Sequence, residues 1–300
     1  MTNGSPDDSV TVVIPTFNRS GFLVEMVHAL KAQTHEQLDV VFVDDGSSDE
    51  TPQVLESAFG ADPRFSQRRT TNRGPSAARN AVAMTADTTW VAFTDDDCVP
   101  RPGWIAGLVA EAERTGASVV QGKTITDPRV DMGTQPWFTR GREVHGWNGI
   151  FQTCNLLVRT SAFQAIGGFD ERFPTYGFGE DRDLGARLVD AGAATAFAER
   201  GELHHRVMTM TYGEFLKRRY RWSHVVQVLD VNPDARATLR DQGDYLFRYP
   251  GVGQVMHVAF WVSLPVAAWA VATGRWWVVP VGVAAHAADH RLLRVRAARV

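Results

Sequence analysis

The sequence predicts an α/β fold: a doubly wound, mostly parallel sheet flanked by helices, followed by a helical region at the carboxyl end. Strand-like and helix-like patterns alternate between Val10 and Gly122, which is typical of parallel strands joined by right-handed crossovers. Three of these strands end in polar or acidic residues, and the alternation stops after His205. We therefore expect one sheet domain with a separate helical segment after it.

The predicted strands are short apolar runs that end at turn-forming residues, and they cover Val10–Ile14, Val40–Val43, Trp90–Phe93 and Ser118–Gly122. The predicted helices have apolar residues at helical spacing, and they cover Phe22–Ala32, Thr51–Phe59, Ser76–Met84 and Trp104–Ala112. We expect the first strand to stop at Pro15, because proline cannot donate a hydrogen bond to a central ladder.

The composition is that of an ordinary globular protein. The chain has 300 residues, of which 44% are hydrophobic and 22% are charged, and this excludes a wholly disordered chain. Its formal net charge of −3 offers no bulk attraction for nucleic acid. The two cysteines, Cys98 and Cys154, are too few for a disulfide framework or an all-cysteine metal site, so we expect both to be packing residues.

Both ends of the chain differ from the sheet domain. Residues 1–9 are polar and are expected to be disordered. They lack the basic start and apolar core of a secretory signal, which predicts a cytoplasmic protein. Residues 207–300 are predicted to be helical, and within them residues 255–288 contain two apolar runs, at 255–272 and 276–288. The first is at the lower limit for a membrane span of ~20 residues, and the second is too short for one. This favours a hairpin on the cytoplasmic membrane surface over a pair of buried helices.

Three of the predicted strands lead into residues that can carry chemistry. The first strand is followed by Pro15–Asn18, the second by Asp44–Asp45 and the third by Asp95–Asp97. Ligands of doubly wound sheets bind beyond the carboxyl ends of the strands, so these residues are expected to meet in one site. Clustered carboxylates need a neutralising cation, and Mg²⁺ is typically held by one or two carboxylates together with substrate phosphates. The convergence favours a metal-diphosphate site over three unrelated turns.

A further acidic stretch, Glu180–Asp183, precedes an apolar helical pattern. Acids commonly cap the start of a helix. The alternative is a general base, because an aspartate with an ordinary pKa of about 3.9 is ionised at neutral pH. Further along the chain, His204–His205 offers an imidazole to a metal ion.

Seven blocks of the chain, taken in order, resemble the family 2 glycosyltransferases of the GT-A fold. The blocks are Val12–Arg19, Val43–Asp49, Asn72–Asn80, Phe93–Cys98, Cys154–Arg159, Gly167–Glu171 and Gly179–Asp181. The resemblance implies a catalytic domain over residues 10–206. It further implies a nucleotide-binding half at residues 10–120 and an acceptor-binding half at residues 121–206.

The resemblance also implies a set of site residues. The nucleotide would be bound by Pro15, Thr16, Phe17, Asn18, Asp45, Arg79, Asp95 and Asp96. A Mn²⁺ or Mg²⁺ ion would be held by Asp97 and by His205 rather than His204. The catalytic base would be Asp181 with Glu180 beside it, and the acceptor would contact Trp147, Asn155 and Glu180.

The implied reaction is metal-dependent transfer of a sugar, with inversion, from a nucleoside diphosphate sugar to an acceptor hydroxyl. A UDP-sugar is the favoured donor, and the acceptor is a carbohydrate, a lipid-linked molecule or a small molecule. Two alternatives are a polyprenyl-phosphate sugar synthase and a non-catalytic module that binds nucleotide sugars or docks on membranes. A nucleotidyltransferase is disfavoured, because the first strand does not lead into a Gly-rich phosphate loop.

Overall fold

The computed structural model describes residues 8–135, 139, 141–173, 179–208, 211, 214 and 273. Its strands are β1 Val10–Thr16, β2 Leu38–Asp44, β3 Phe65–Arg69, β4 Trp90–Thr94, β5 Cys98–Pro100, β6 Val119–Thr126, β7 Asn155–Arg159 and β8 Thr195–His205. Its helices are α1 Ser20–Lys31, α2 Thr51–Phe59, α3 Pro75–Ala83, α4 Trp104–Thr115, α5 Thr160–Ala165 and α6 Glu180–Asp190.

The strands form one sheet in the order β3-β2-β1-β4-β7-β6-β8-β5. Strands β1 to β4 pair in parallel within their half of the sheet, and β6 is parallel to β8. Strand β7 runs antiparallel to β4 and β6, and β5 runs antiparallel to β8. The predicted α/β class is thus confirmed, with a mixed sheet in which the half formed by β1 to β4 is parallel.

The core lies on both faces of this sheet, because successive side chains of a strand point to opposite faces. In β1, for example, Ile14 packs on one face and Val13 packs on the other. Helices α1, α2 and α4 cover the first face, and α3, α5 and α6 cover the second. The loops at the carboxyl ends of the parallel strands are therefore held by packed elements on both sides.

Strand β1 runs beyond its predicted end. Pro15 and Thr16 stay in the strand, in register with Val43 and Asp44 of β2. On its other side, β1 pairs with β4 only as far as Val13. Proline is tolerated at this point because the ladder there is one-sided, as it is at a sheet edge.

Several predictions fall outside the described ranges. They concern residues 1–7, most of the predicted helical region 207–300, and the hairpin at 255–288 apart from Thr273. Among the helices that the structure describes, none combines the length and the apolar character that a membrane crossing requires.

Candidate active site

The three strand ends singled out by the sequence meet at one edge of the sheet. Strand β1 lies between β2 and β4, so the residues that follow these parallel strands are neighbours. The amide of Ser48 donates a hydrogen bond to Oδ1 of Asn18 (2.8 Å), which ties the loop after β1 to the loop after β2. Nε of Arg19 lies 3.7 Å from Oδ1 of Asp96, which ties the first loop to the acidic residues after β4.

Phe17 is the exposed apolar residue of this edge. Its side chain is 43% exposed, whereas Thr16 before it is buried. Asn18 has a φ of 54°, a left-handed conformation that asparagine tolerates better than most residues. This turn leaves an aromatic face beside the acidic cluster, where a planar ring can stack on it.

Asp45 has a structural role that the sequence did not predict. Its carboxylate accepts hydrogen bonds from the Thr70 hydroxyl (2.7 Å) and from the amides of Arg73 (3.0 Å) and Gly74 (2.7 Å). It therefore anchors the loop that leads into α3, at the start of which φ of Gly74 is 92°. The predicted contact between Asp45 and a nucleotide stays a prediction.

Two carboxylates of the Asp95–Asp97 cluster, those of Asp95 and Asp96, each face an arginine. Asp95 Oδ1 accepts a hydrogen bond from Nη2 of Arg79 (2.7 Å), and Asp96 lies beside Arg19. Burial, and next the charge of Asp97, raises the pKa of Asp96 to about 7, while Arg19 opposes this shift. The cluster is thus an arrangement of paired charges, which agrees with the expectation that adjacent carboxylates need neutralising partners.

Asp97 is paired with His205, and not with His204. Nε2 of His205 lies 3.4 Å from Oδ1 of Asp97, whereas Nε2 of His204 lies 3.5 Å from Oε1 of Glu202. The Nδ1 atom of His205 is 2.8 Å from the carbonyl oxygen of Arg206, which can only accept, so Nδ1 carries the proton. Nε2 is thus the ring atom available to a metal ion, and it faces a carboxylate oxygen, an arrangement that suits a divalent cation between the two.

Arg79 connects the acidic cluster to the second acidic stretch. Its side chain is 4% exposed, with Nη2 on Asp95 and Nη1 3.9 Å from Oε1 of Glu180. The guanidinium also lies over the Phe169 ring, 5.5 Å from its centroid. Because Glu180 begins α6, Arg79 joins the end of β4 to the start of this helix.

Asp181 occupies the first turn of α6, next to a buried glutamate. Its Oδ1 accepts a hydrogen bond from the amide of Arg182 (2.9 Å). Burial raises the pKa of Asp181, against the opposing charges of Arg182 and Arg142. Burial also raises the pKa of Glu180 to about 7, with the charge of Asp181 adding to the shift and Arg79 opposing it. Glu180 can thus exchange a proton near neutral pH, next to an aspartate whose pKa is also raised.

Replacing Glu180 by glutamine is expected to stabilise the fold at pH 8 and not at pH 5. With a raised pKa, the folded chain keeps a proton that the unfolded chain releases, so stability falls as pH rises from the ordinary glutamate pKa to about 7. Each pKa unit corresponds to about 1.4 kcal/mol, which limits the gain at pH 8 to about 3 kcal/mol. Denaturant unfolding at both pH values checks this, with Glu113→Gln on the exposed side of α4 as control; an equal gain at both pH values would contradict it.

Arg142 is a site residue that the sequence analysis missed. Burial, which lowers its pKa, is outweighed by the charges of neighbours that include Asp95 and Asp181, so the pKa of Arg142 is raised. The backbone groups of Thr124 and Val144 exchange two hydrogen bonds (3.0 and 2.8 Å), and this bridge places the segment that contains Arg142 beside β6. The segment 141–144 has no sequence pattern of its own, and its hydrogen bonds to β6 bring the cation to the acidic residues.

Trp147 lies on the side of α6 that carries Asp181. Its ring meets Phe151 edge to face, with centroids 5.0 Å apart, and it is 36% exposed. Phe151 is buried against Gly185, where a Cβ atom would come within 2.0 Å of the phenyl ring. Gly185 follows Asp181 by four residues, which puts both on one face of the helix. Phe151 therefore connects the exposed ring of Trp147 to the face of α6 that carries Asp181.

The structure does not support the acceptor contact predicted for Asn155 and gives this residue another role. The side chain is fully buried. Its Oδ1 accepts a hydrogen bond from Nε1 of Trp104 (2.7 Å), and its amide group donates to the carbonyl oxygens of Lys123 (2.8 Å) and Gly201 (2.9 Å). These bonds join α4, β6, β7 and β8, so Asn155 holds elements together and is closed to an acceptor.

Comparison with known proteins identifies the family. The family model described as Glycosyl transferase family 2 matches residues 11–167, and one described as Glycosyl transferase family group 2 matches residues 90–288. The first match alone covers more than half of the chain. The chain therefore belongs to the family 2 glycosyltransferases.

Individual relatives agree with this assignment. A pre-mycofactocin glycosyltransferase of Mycobacterium tuberculosis is 28% identical over 266 residues, covering 82% of this chain and 53% of the relative, so this chain spans about half of that protein. The N-acetylglucosaminyl-diphospho-decaprenol L-rhamnosyltransferase of the same organism is 29% identical, covering 66% of this chain and 76% of the relative.

A solved structure shows the fold. The mannosyltransferase of Pyrobaculum calidifontis, in complex with GDP-Man and Mn²⁺, matches with a TM-score of 0.59 at 18% identity, covering 96% of this chain and 89% of that chain. At this identity, the likeness establishes the fold and leaves the chemistry to be argued from the residues of this chain.

Proposed function

We propose that this chain transfers a sugar, with inversion, from a nucleoside diphosphate sugar to an acceptor hydroxyl. The observation that carries the proposal is the buried Arg79, which joins the acidic cluster at Asp95 to the carboxylate pair that begins α6. A transferase needs one acidic group to bind the metal and diphosphate of the donor and a second one to deprotonate the acceptor. These two groups must lie no further apart than the length of one substrate. A module that only binds nucleotide sugars has no use for the second group.

The donor is assigned to the edge formed by β1, β2 and β4. Phe17 offers its exposed ring to the base, and Pro15, Thr16 and Asn18 line the floor and turn beneath it. Asp95 and Asp96 lie next to this turn, because Arg19, which follows the turn, contacts the carboxylate of Asp96. The UDP-sugar expected from the sequence is one candidate, and the GDP-sugar bound by the solved mannosyltransferase is another.

The metal is assigned to Asp97 and His205. Their carboxylate and imidazole atoms converge at 3.4 Å, a separation that two ligands of one Mn²⁺ or Mg²⁺ ion can have, and both side chains are partly exposed. A divalent cation bound there supplies positive charge that offsets the charge of a leaving diphosphate. The fit rests on the nitrogen–oxygen donor pair and on the fixed tautomer of His205.

In the proposed reaction, Asp181 takes the proton of the acceptor hydroxyl. The acceptor oxygen forms a bond to the anomeric carbon on the face opposite the leaving group, and the bond from that carbon to the diphosphate oxygen breaks. The electron pair of the broken bond stays with the nucleoside diphosphate. Arg79 and Arg142 lie near the acidic residues and stabilise the growing negative charge.

The acceptor is assigned to the side of α6 that carries Asp181. Trp147 offers an exposed ring beside this helix, and aromatic faces stack well on sugar rings. A lipid-linked sugar is the acceptor class we favour, because the related L-rhamnosyltransferase of Mycobacterium tuberculosis is named for a decaprenol-linked acceptor. The apolar residues 255–288 predicted to lie on a membrane surface suit the same class.

The proposal is tested by donor turnover. The full chain is incubated with UDP-, GDP- and dTDP-sugars and Mn²⁺, and the nucleoside diphosphate that is released as the sugar passes to water or to a sugar acceptor is measured. We expect release from one donor class, with loss of release in Asp181→Asn. If a donor binds but no donor is ever turned over, the chain is a binding module and the proposal fails.

A further inference from the structure

We propose that Cys98 is a third protein ligand of the metal site, so that this site prefers thiophilic divalent ions such as Zn²⁺ and Co²⁺ to Mg²⁺. The inference rests on the proposed metal role of Asp97 and His205. The ligand atoms of Asp97, Cys98 and His205 all lie within 4.8 Å of one another. A carboxylate oxygen, a thiol sulfur and an imidazole nitrogen thus surround one point.

The backbone places the three residues together. Strand β5 pairs antiparallel with β8, and Cys98 lies directly opposite His205 in this ladder. Directly opposed residues in an antiparallel pair point to the same face of the sheet, so the sulfur and the imidazole are on one side. Asp97 precedes Cys98, and the amide of Arg206 donates to the carbonyl oxygen of Asp97 (2.9 Å), which ties the two chain segments at this point.

The distances suit one ion. Sγ of Cys98 is 3.9 Å from Oδ1 of Asp97, and Nε2 of His205 is 3.4 Å from the same oxygen. Zinc bonds are about 2.3 Å to sulfur and about 2.0–2.2 Å to nitrogen or oxygen, so two ligands of one ion can be separated by up to about 4.4 Å. The two pairs that include Oδ1 of Asp97 are therefore within reach of one ion, and the third pair, sulfur and imidazole nitrogen, lies within 4.8 Å.

The neighbouring carboxylates are engaged elsewhere. Asp95 is hydrogen-bonded by Arg79, and Asp96 is buried beside Arg19. Of the acidic cluster, Asp97 is the member that faces the histidine and the cysteine. The protein ligands that surround the ion are therefore one oxygen, one nitrogen and one sulfur, and a thiolate selects softer ions than an all-oxygen set does.

Cobalt(II) absorption tests the inference without measuring activity. The full chain is titrated with CoCl₂, and a cobalt–thiolate bond is read as an intense charge-transfer band in the near ultraviolet. We expect this band in the wild type, its loss in Cys98→Ser, and at least about 10-fold weaker Co²⁺ binding in that variant, the loss expected when even a supporting group is removed. Cys154→Ser is the matched control, since the Cys154 thiol is buried and contacts Cys98 but is not one of the three proposed ligands, and it should keep the band.

Two results would overturn the inference. Co²⁺ bound through His205, as shown by visible bands lost in His205→Ala, without a thiolate band would exclude Cys98 as a ligand. Absence of Co²⁺ binding in the wild type would exclude the three-residue site altogether. The band is read first on the wild type, so the inference can be tested even if a variant folds poorly. Failure of donor turnover would leave the band unchanged, so the two proposals fail separately.

Discussion

Replacing Asp181 by asparagine is expected to lower the turnover number about 10²–10⁴-fold, the usual contribution of a general base. Asparagine keeps the size of the side chain and can still accept the hydrogen bond from the amide of Arg182, but it cannot take a proton. Donor affinity should therefore stay at the wild-type value. The measurement is steady-state release of nucleoside diphosphate together with a separate donor-binding titration.

The same carboxylate predicts the pH dependence of the wild type. A base must be ionised to accept a proton, so activity should fall as the pH drops through the raised pKa of Asp181. Since Asp181 and Glu180 influence each other, the profile reports the pair.

Asp190→Asn, on the exposed last turn of the same helix, is the control for Asp181→Asn and should leave turnover unchanged. An Asp181→Asn variant with more than a tenth of the wild-type rate would contradict the assignment.

Replacing Arg79 by methionine is expected to destabilise the fold by about 3–5 kcal/mol, the cost of removing one partner from a buried ion pair. Methionine can still pack on Phe169, but Asp95 loses its hydrogen bond and Glu180 loses its nearest cation. For a chain of this size, the loss corresponds to a fall in Tm of about 6 °C or more. Thermal unfolding at pH 8 measures it.

Two further variants separate this effect from a general loss of positive charge. Arg73→Met removes an exposed arginine that pairs with Glu171 (2.6 Å), and exposed pairs contribute at most about 1 kcal/mol. Adding Glu180→Gln to Arg79→Met removes an orphaned carboxylate and should recover part of the lost stability. If the effects of Arg79→Met and Glu180→Gln simply add, the proposed link between β4 and α6 is absent.

The parallel half of the fold could be predicted because its strands are apolar runs that end in turn residues. The helix predicted over Thr51–Phe59 has the same ends in the structure. Strand β3 was missed because only Phe65 of its five residues is buried. Strand β8 was missed because Glu199 and Arg200 interrupt any apolar alternation, and both are exposed.

The site could be predicted where its residues form contiguous motifs, and not where only folding brings them together. The pairing of Asp97 with His205 was expected only from the family resemblance, because it depends on the antiparallel pairing of β5 with β8, which neither strand's sequence reveals. Arg142 belongs to a loop without periodicity, so no pattern connected it to Asp181. Asn155 was assigned to the acceptor because sequence alone does not tell a buried polar residue from an exposed one.

The most direct test of the account is a thermal-shift panel of UDP-, GDP- and dTDP-sugars, with and without Mn²⁺, on the wild type and on Asp97→Asn. A ligand at ~100 times its Kd stabilises the fold by about 2.7 kcal/mol, or a Tm shift of about 5–10 °C. We predict a shift with one nucleotide class that requires Mn²⁺ and is lost in Asp97→Asn. No shift with any donor, or an equal shift in Asp97→Asn, would contradict a metal-dependent nucleotide-sugar site at this edge of the sheet.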